Sequence, residues 1–121
     1  MMVVDASAII AILFDEPTRD ATAARLRGHD LAAPMFLPFE VASACLKKMR
    51  RFPAARLALM EAFRTLPEWG IEYHEVDLAQ AIRLGEQTGL AVYDATYLWL
   101  ARELDVELVT LDEKLDRAAA P

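Results

Sequence analysis

The chain predicts an α/β fold: a central, mainly parallel sheet with helices on both faces. Three observations predict it. Short apolar runs recur at residues 1–5, 30–34, 71–76 and 106–111. Stretches with helical character separate each pair, and strands joined through helices need crossover connections, hence parallel pairing. Four acids, Asp5, Glu40, Asp94 and Asp112, stand at strand ends or helix starts, the places such a sheet gathers along one edge.

The first strand, Met1-Met2-Val3-Val4, ends on Asp5, and residues 6–13 read as a buried helix that Asp15-Glu16-Pro17 breaks. Residues 18–27 form a second helix, stopped by Gly28. After a short strand at 30–34, Pro38 marks the first turn of a helix running to Arg51, and Pro53 ends it. Residues 54–66 predict another amphipathic helix, closed by Pro67 and Gly70. Residues 71–76 alternate as a strand, and Asp77-Leu78-Ala79-Gln80 resembles a capping box for a helix ending at Gly89. A helix over 94–104 and a strand over 106–111 complete the order.

Length and composition bound the answer. With 121 residues, 55% of them hydrophobic, the chain predicts one domain, residues 1–121, with one sizeable core. A net charge of −6 argues against a generic nucleic-acid binder, though a local basic stripe remains compatible with it. The lone Cys45 excludes an intrachain disulfide and a Cys-based zinc cluster. No segment has the pattern of a secretory signal or ~18 consecutive apolar residues, so the expectation is a cytoplasmic protein without a membrane anchor.

Each helix that follows a strand in a parallel sheet starts at the strand's carboxyl edge, and ligand sites of open α/β folds lie in that crevice. Element order alone therefore places all four acids on one rim. Singly, they have plainer explanations. Asp94 and Asp112 would each serve as a helix N-cap, and Glu40 lies opposite an apolar face expected from Ala42, Cys45, Leu46 and Met49. Asp5, at the end of a buried strand, loses solvation unless paired. Together the acids would repel one another without a proton, a basic partner or a cation, and a cation is the expectation. An oxygen-only rim suits Mg²⁺ or Mn²⁺. Zinc does not fit, because His29 and His74 lack ligand-like spacing. Neither Cys45 nor Ser7 has a nearby histidine in sequence to activate it.

The helix carrying Glu40 adds a stripe. At about 100° per residue, Glu40, Ser43, Lys47 and Arg51 share a line, with Arg50 beside it. A metal site running into a basic stripe matches a phosphodiester ligand, so Lys47, Arg50 and Arg51 are candidate contacts to a nucleic-acid backbone; a solvated helix face is the plainer alternative. Tyr93, Tyr97 and Trp99 read as core or interface residues rather than base-stacking platforms.

Val3-Val4-Asp5-Ala6-Ser7, Leu37-Pro38-Phe39-Glu40-Val41-Ala42, Tyr93-Asp94-Ala95-Thr96-Tyr97-Leu98 and Leu108-Val109-Thr110-Leu111-Asp112 stand in this order along the chain. In these motifs the chain resembles the PIN-domain ribonucleases, and most of all the VapC toxins of toxin–antitoxin pairs. The resemblance implies a three-layer α/β/α sandwich around a parallel sheet. It implies a Mg²⁺- or Mn²⁺-dependent endoribonuclease with Asp5 and Asp94 as metal ligands, Glu40 and Asp112 supporting them or recruiting a second ion, and Ser7 and Thr110 as supporting hydroxyls. It further implies RNA as substrate, a VapB-like antitoxin as partner, and a homodimer. One departure stands out: the family continues past the last acidic motif into an edge strand, where this sequence reads Ala118-Ala119-Ala120-Pro121. Two rivals share parts of the pattern. A phosphoacceptor receiver-like domain has an acidic Mg²⁺ pocket and a lysine near its last strand, which Lys114 would match, but its paired acids are absent, because Ala6 follows Asp5. The other is a non-catalytic member of the same fold that only binds RNA or an antitoxin.

Overall fold

The computed structural model describes residues 1–121. Strand β1 (Met2–Val4) leads into helix α1 (Ala6–Leu13), followed by α2 (Arg19–Leu26) and β2 (Leu31–Pro34). Helix α3 (Leu37–Arg51) and α4 (Arg56–Arg64) lead to β3 (Glu72–His74). Helices α5 (Leu78–Thr88) and α6 (Val92–Leu104), strand β4 (Glu107–Val109) and helix α7 (Glu113–Ala119) complete the chain.

The four strands form one sheet in the order β3-β2-β1-β4, every pair parallel. β1 lies inside, aligning Met2 with Leu31 on one side and with Glu107 on the other. β1 and β2 are buried throughout, which is why they read as unbroken apolar runs rather than alternating ones. The first two crossovers carry the chain outward from β1 to β2 to β3. The pair α5–α6 then returns it across the sheet to β4, so the winding reverses between β1 and β4. In open α/β sheets that reversal opens the crevice where ligands bind.

Two helical layers cover the sheet. In one, α1 packs on α2 and α3, and α3 packs on α4; in the other, α6 lies against β1, β2 and β4 with α5 and α7 beside it. The result is the expected three-layer α/β/α sandwich. Val3, Val4, Ile9, Leu37, Val41, Leu100, Val109 and Leu115 fill its core. No helix is long and apolar enough to cross a membrane.

Several expected boundaries shift. α6 begins at Val92 with Ala91 before it, so Asp94 is the third residue of the helix and not its cap. α3 buries Leu37, Val41 and Cys45, spaced four apart, while Ala42 and Leu46 of the expected apolar face are exposed. The helix expected over 54–66 is α4 flanked by 3₁₀ turns at Pro53–Ala55 and Leu66–Trp69, where prolines interrupt the α-helical hydrogen bonds. The alternation over 71–76 yields only the short edge strand β3. Asp77 caps α5 through a bond from the Gln80 N–H (3.1 Å), but the Gln80 side chain does not return the favour: it accepts from the Trp99 indole (2.6 Å). Gly89 ends α5 in the left-handed region (φ 76°), as a glycine stop should. Past β4, which forms the open edge of the sheet, residues 113–119 are helical and no further strand occurs.

Candidate active site

Asp5 leaves β1 where the ladder to β4 ends, its own N–H donating to the Val109 carbonyl (3.1 Å). Its side chain caps α1. Oδ1 accepts from the Ser7 N–H (2.9 Å), the Ala8 N–H (3.4 Å) and the Ser7 hydroxyl. Oδ2 accepts only from the Thr110 hydroxyl (2.8 Å), so this oxygen keeps a lone pair for a ligand. A carboxylate only 4% exposed is tolerated because charge-assisted bonds replace the water it has lost.

Ser7 and Thr110 do more than serve Asp5. Ser7 Oγ accepts the Leu111 N–H (2.9 Å), Thr110 Oγ1 accepts the Asp112 N–H (3.0 Å), and the two hydroxyls lie 3.4 Å apart. They pin the chain leaving β4 to the start of α1. Asp112 follows at once and caps α7, accepting from the Leu115 N–H (2.8 Å). Glu40 sits in the first turn of α3, where Oε1 accepts a 2.7 Å bond from the Tyr97 phenol. Asp94, in the first turn of α6, is half-buried.

All four acids line one open cavity of about 360 Å³, together with Ser7, Ser43, Lys47 and Tyr97. Burial is the main influence on the titration of three of the acids. Burial raises Asp5 above the ordinary carboxylate range, against the lowering effect of its hydroxyl and backbone donors. Burial raises Glu40 too; the Tyr97 bond opposes this, and the charges of Asp5 and Asp94 add to it. Asp94 is raised by burial, then by Asp112 and Asp5, with Lys114 pulling the other way. Three neighbouring carboxyls pushed upward by a shared environment mark a site that gains from positive charge.

The donors fit a hard divalent cation. They are carboxylate and hydroxyl oxygens, with no histidine or cysteine among the lining residues. No group of three or more His, Cys, Asp or Glu side chains forms a ready-made metal cage. Mg²⁺ does not demand one, since it keeps several waters and is held through one or two carboxylates.

The basic stripe divides. Lys47 lines the acidic cavity; Arg50 and Arg51 are exposed farther along α3, Arg51 lying over the Phe52 ring at 5.2 Å. Lys48, between them, is tied to Glu16 at 2.9 Å. Lys114 donates to the Gly89 carbonyl (2.7 Å), binding the α5–α6 turn to α7. His74 Nε2 faces Glu72 at 3.2 Å on the edge strand, away from the acids, and Cys45 is a buried thiol whose pKa burial raises, so it is a poor nucleophile. A somewhat larger cleft, about 440 Å³, opens beside β4, but its Arg25 and Glu107 pair with each other and it holds none of the four acids.

Tyr97, which reads from sequence as a core or interface residue, lines the site. It is buried, 1% exposed, yet its phenol reaches the acidic cavity. The legible signal was its place three residues after Asp94, on the same helix face, since a buried tyrosine hydroxyl needs a partner. Tyr93, by contrast, is exposed, and Trp99 is half-buried.

Known proteins share both the sequence and this architecture. The model of the PIN domain family matches residues 2–121. Ribonuclease VapC3 of Pyrobaculum aerophilum is 35% identical, the match covering 94% of this chain and 91% of that protein. Ribonuclease VapC3 of Mycobacterium tuberculosis is 34% identical, over 97% of this chain and 86% of its own. Among solved structures, PAE2754 from P. aerophilum superposes with a TM-score of 0.79 at 25% identity, over 97% of this chain and 83% of that one. VapC20 of M. tuberculosis, a toxin that cleaves the sarcin–ricin loop, has the same fold with a TM-score of 0.69 at 16% identity, covering 100% and 97%. On this evidence the chain belongs to the PIN-domain family, among its VapC-type ribonucleases.

Proposed function

We propose that this protein, as one domain spanning residues 1–121, is a divalent-metal-dependent endoribonuclease, the toxin of a type II toxin–antitoxin pair. The observation that carries the reading is the single cavity lined by Asp5, Glu40, Asp94 and Asp112 at the switch point of the sheet. Asp5 and Asp94 would hold Mg²⁺ or Mn²⁺, with Glu40 and Asp112 completing the shell or admitting a second ion. When bound, the cation supplies a more acidic attacking water and neutralises charge at the scissile phosphate. The residues do the rest. Asp5 presents Oδ2 to the cavity because Ser7 and the α1 backbone occupy Oδ1. Glu40, raised by burial, would exchange a proton with water. Lys47 beside the acids, then Arg50 and Arg51, would follow the RNA backbone past the cut.

Two partners complete the reading. Exposed apolar side chains on α5 and at the start of α6, Leu78, Ile82, Val92 and Tyr93, with Phe39 of α3, suit a homodimer face. A VapB-like antitoxin would restrain the toxin in the cytoplasm. The test is incubation of the purified, antitoxin-free protein with total RNA in Mg²⁺, in Mn²⁺ and in EDTA. Discrete products in metal alone are expected. Folded protein that leaves RNA intact in both metals would overturn the nuclease reading in favour of a binding-only member of the fold.

A further inference from the structure

Tyr97 lies where three acid-bearing elements meet. It stands one turn after Asp94 on α6, its phenol donates to Glu40 of α3, and it lines the same cavity as Asp5 and Ala6 at the start of α1. The bond has a direction: Glu40 carries no proton donor as a carboxylate, so the phenol hydrogen points toward Glu40 Oε1. With Oε1 engaged, Oε2 is the oxygen left for the cavity. The ring has little freedom to do otherwise. Phe36 meets it edge-on at 5.5 Å with an interplanar angle of 84°, and only 1% of the residue is exposed.

We infer that Tyr97 is a positioning residue for the acidic site, its phenol aiming the Glu40 carboxylate and fixing α3 against α6. This rests on the nuclease reading above and adds a residue to it. Tyr97 touches neither water nor phosphate in this role; it acts through Glu40.

The test is Tyr97→Phe, which keeps the ring and its contact with Phe36 and removes only the hydroxyl. The expected result is a kcat for RNA at least tenfold below wild type, with KM within about twofold and an unchanged circular dichroism spectrum, the pattern of a misplaced catalytic group. Added to Glu40→Gln, the same change should cost nothing further, because the group it positions is already disabled. A Tyr97→Phe kcat within twofold of wild type would overturn the proposal. So would a double variant slower than Glu40→Gln by the full Tyr97→Phe factor, which would mean the hydroxyl acts elsewhere. Failure of the wild type itself to cleave RNA in metal would instead strike the nuclease reading, and is seen in the same assay before any variant is compared.

Discussion

Replacing Thr110 with valine removes one hydroxyl while keeping the shape of a side chain only 5% exposed. That hydroxyl donates to Asp5 Oδ2 at 2.8 Å and accepts from the Asp112 N–H at 3.0 Å. A bond to an ionised group contributes about 1.5–3 kcal/mol and a neutral one about 0.5–1.5 kcal/mol. Thr110→Val should therefore lose about 2–4 kcal/mol at neutral pH. For a domain of this size roughly 4 °C accompanies each kcal/mol, so the metal-free protein should melt about 8–16 °C lower. The deficit should also depend on pH. Burial already holds Asp5 above its ordinary value of 3.8, and the Thr110 bond is one of the effects that lowers it; without that bond the folded-state pKa climbs further. A carboxyl whose pKa is higher folded than unfolded stabilises the fold fully below the unfolded value, and that contribution is lost as pH rises through the folded one. The gap between variant and wild type should thus widen from pH 5 to pH 8. Thermal melts in EDTA across that range, with Thr110→Ser as the control that restores the hydroxyl, decide it. A Thr110→Val protein melting within 2 °C of wild type at pH 8, or with a gap that narrows as pH rises, would refute the reasoning.

Asp94 offers the opposite signature. Its carboxyl is raised by burial and by Asp112 and Asp5, so Asp94→Asn relieves repulsion. The metal-free variant should melt higher than wild type at pH 8 while RNA cleavage falls on the order of 10²-fold or more, a loss of the size seen when charge stabilisation is removed from a site; a variant that melts lower and still cleaves would contradict this. Lys47→Glu places a negative charge inside the acidic cavity. RNA binding should weaken and its salt dependence should fall by about one phosphate contact, read from the slope of log Kd against log salt. An unchanged slope would remove Lys47 from the interface.

The sheet and its rim were legible because burial on both faces writes β1 and β2 as plain apolar runs, and because helix starts follow strand ends in a parallel fold. The placing of Asp5 beside Asp112 needed only that order. Other features were hidden for physical reasons. Asp94 reads as an N-cap, but Ala91 takes that position and α6 starts at Val92, which makes the acid the third residue of the helix. The inner face of α3 is not fixed by sequence because its periodicity admits two apolar stripes, and only packing against α1 and α4 selects Leu37, Val41 and Cys45 over Ala42 and Leu46. Tyr97 was hidden because its partner, Glu40, is 57 residues away, and no local pattern announces a bond across that span. Of the basic stripe, Lys47 shares the cavity with Glu40, with which periodicity aligns it, but periodicity could not foresee that Arg51 turns aside onto Phe52.

The central claim is that these carboxylates form a divalent-cation site, and calorimetric titration of Mn²⁺ into the metal-free protein tests it most directly, with Asp5→Asn alongside. The account predicts saturable binding by the wild type, near one ion or two per chain, and its loss in Asp5→Asn without loss of fold. Wild-type protein that takes up no Mn²⁺, or an Asp5→Asn protein that binds it as tightly, would contradict the claim.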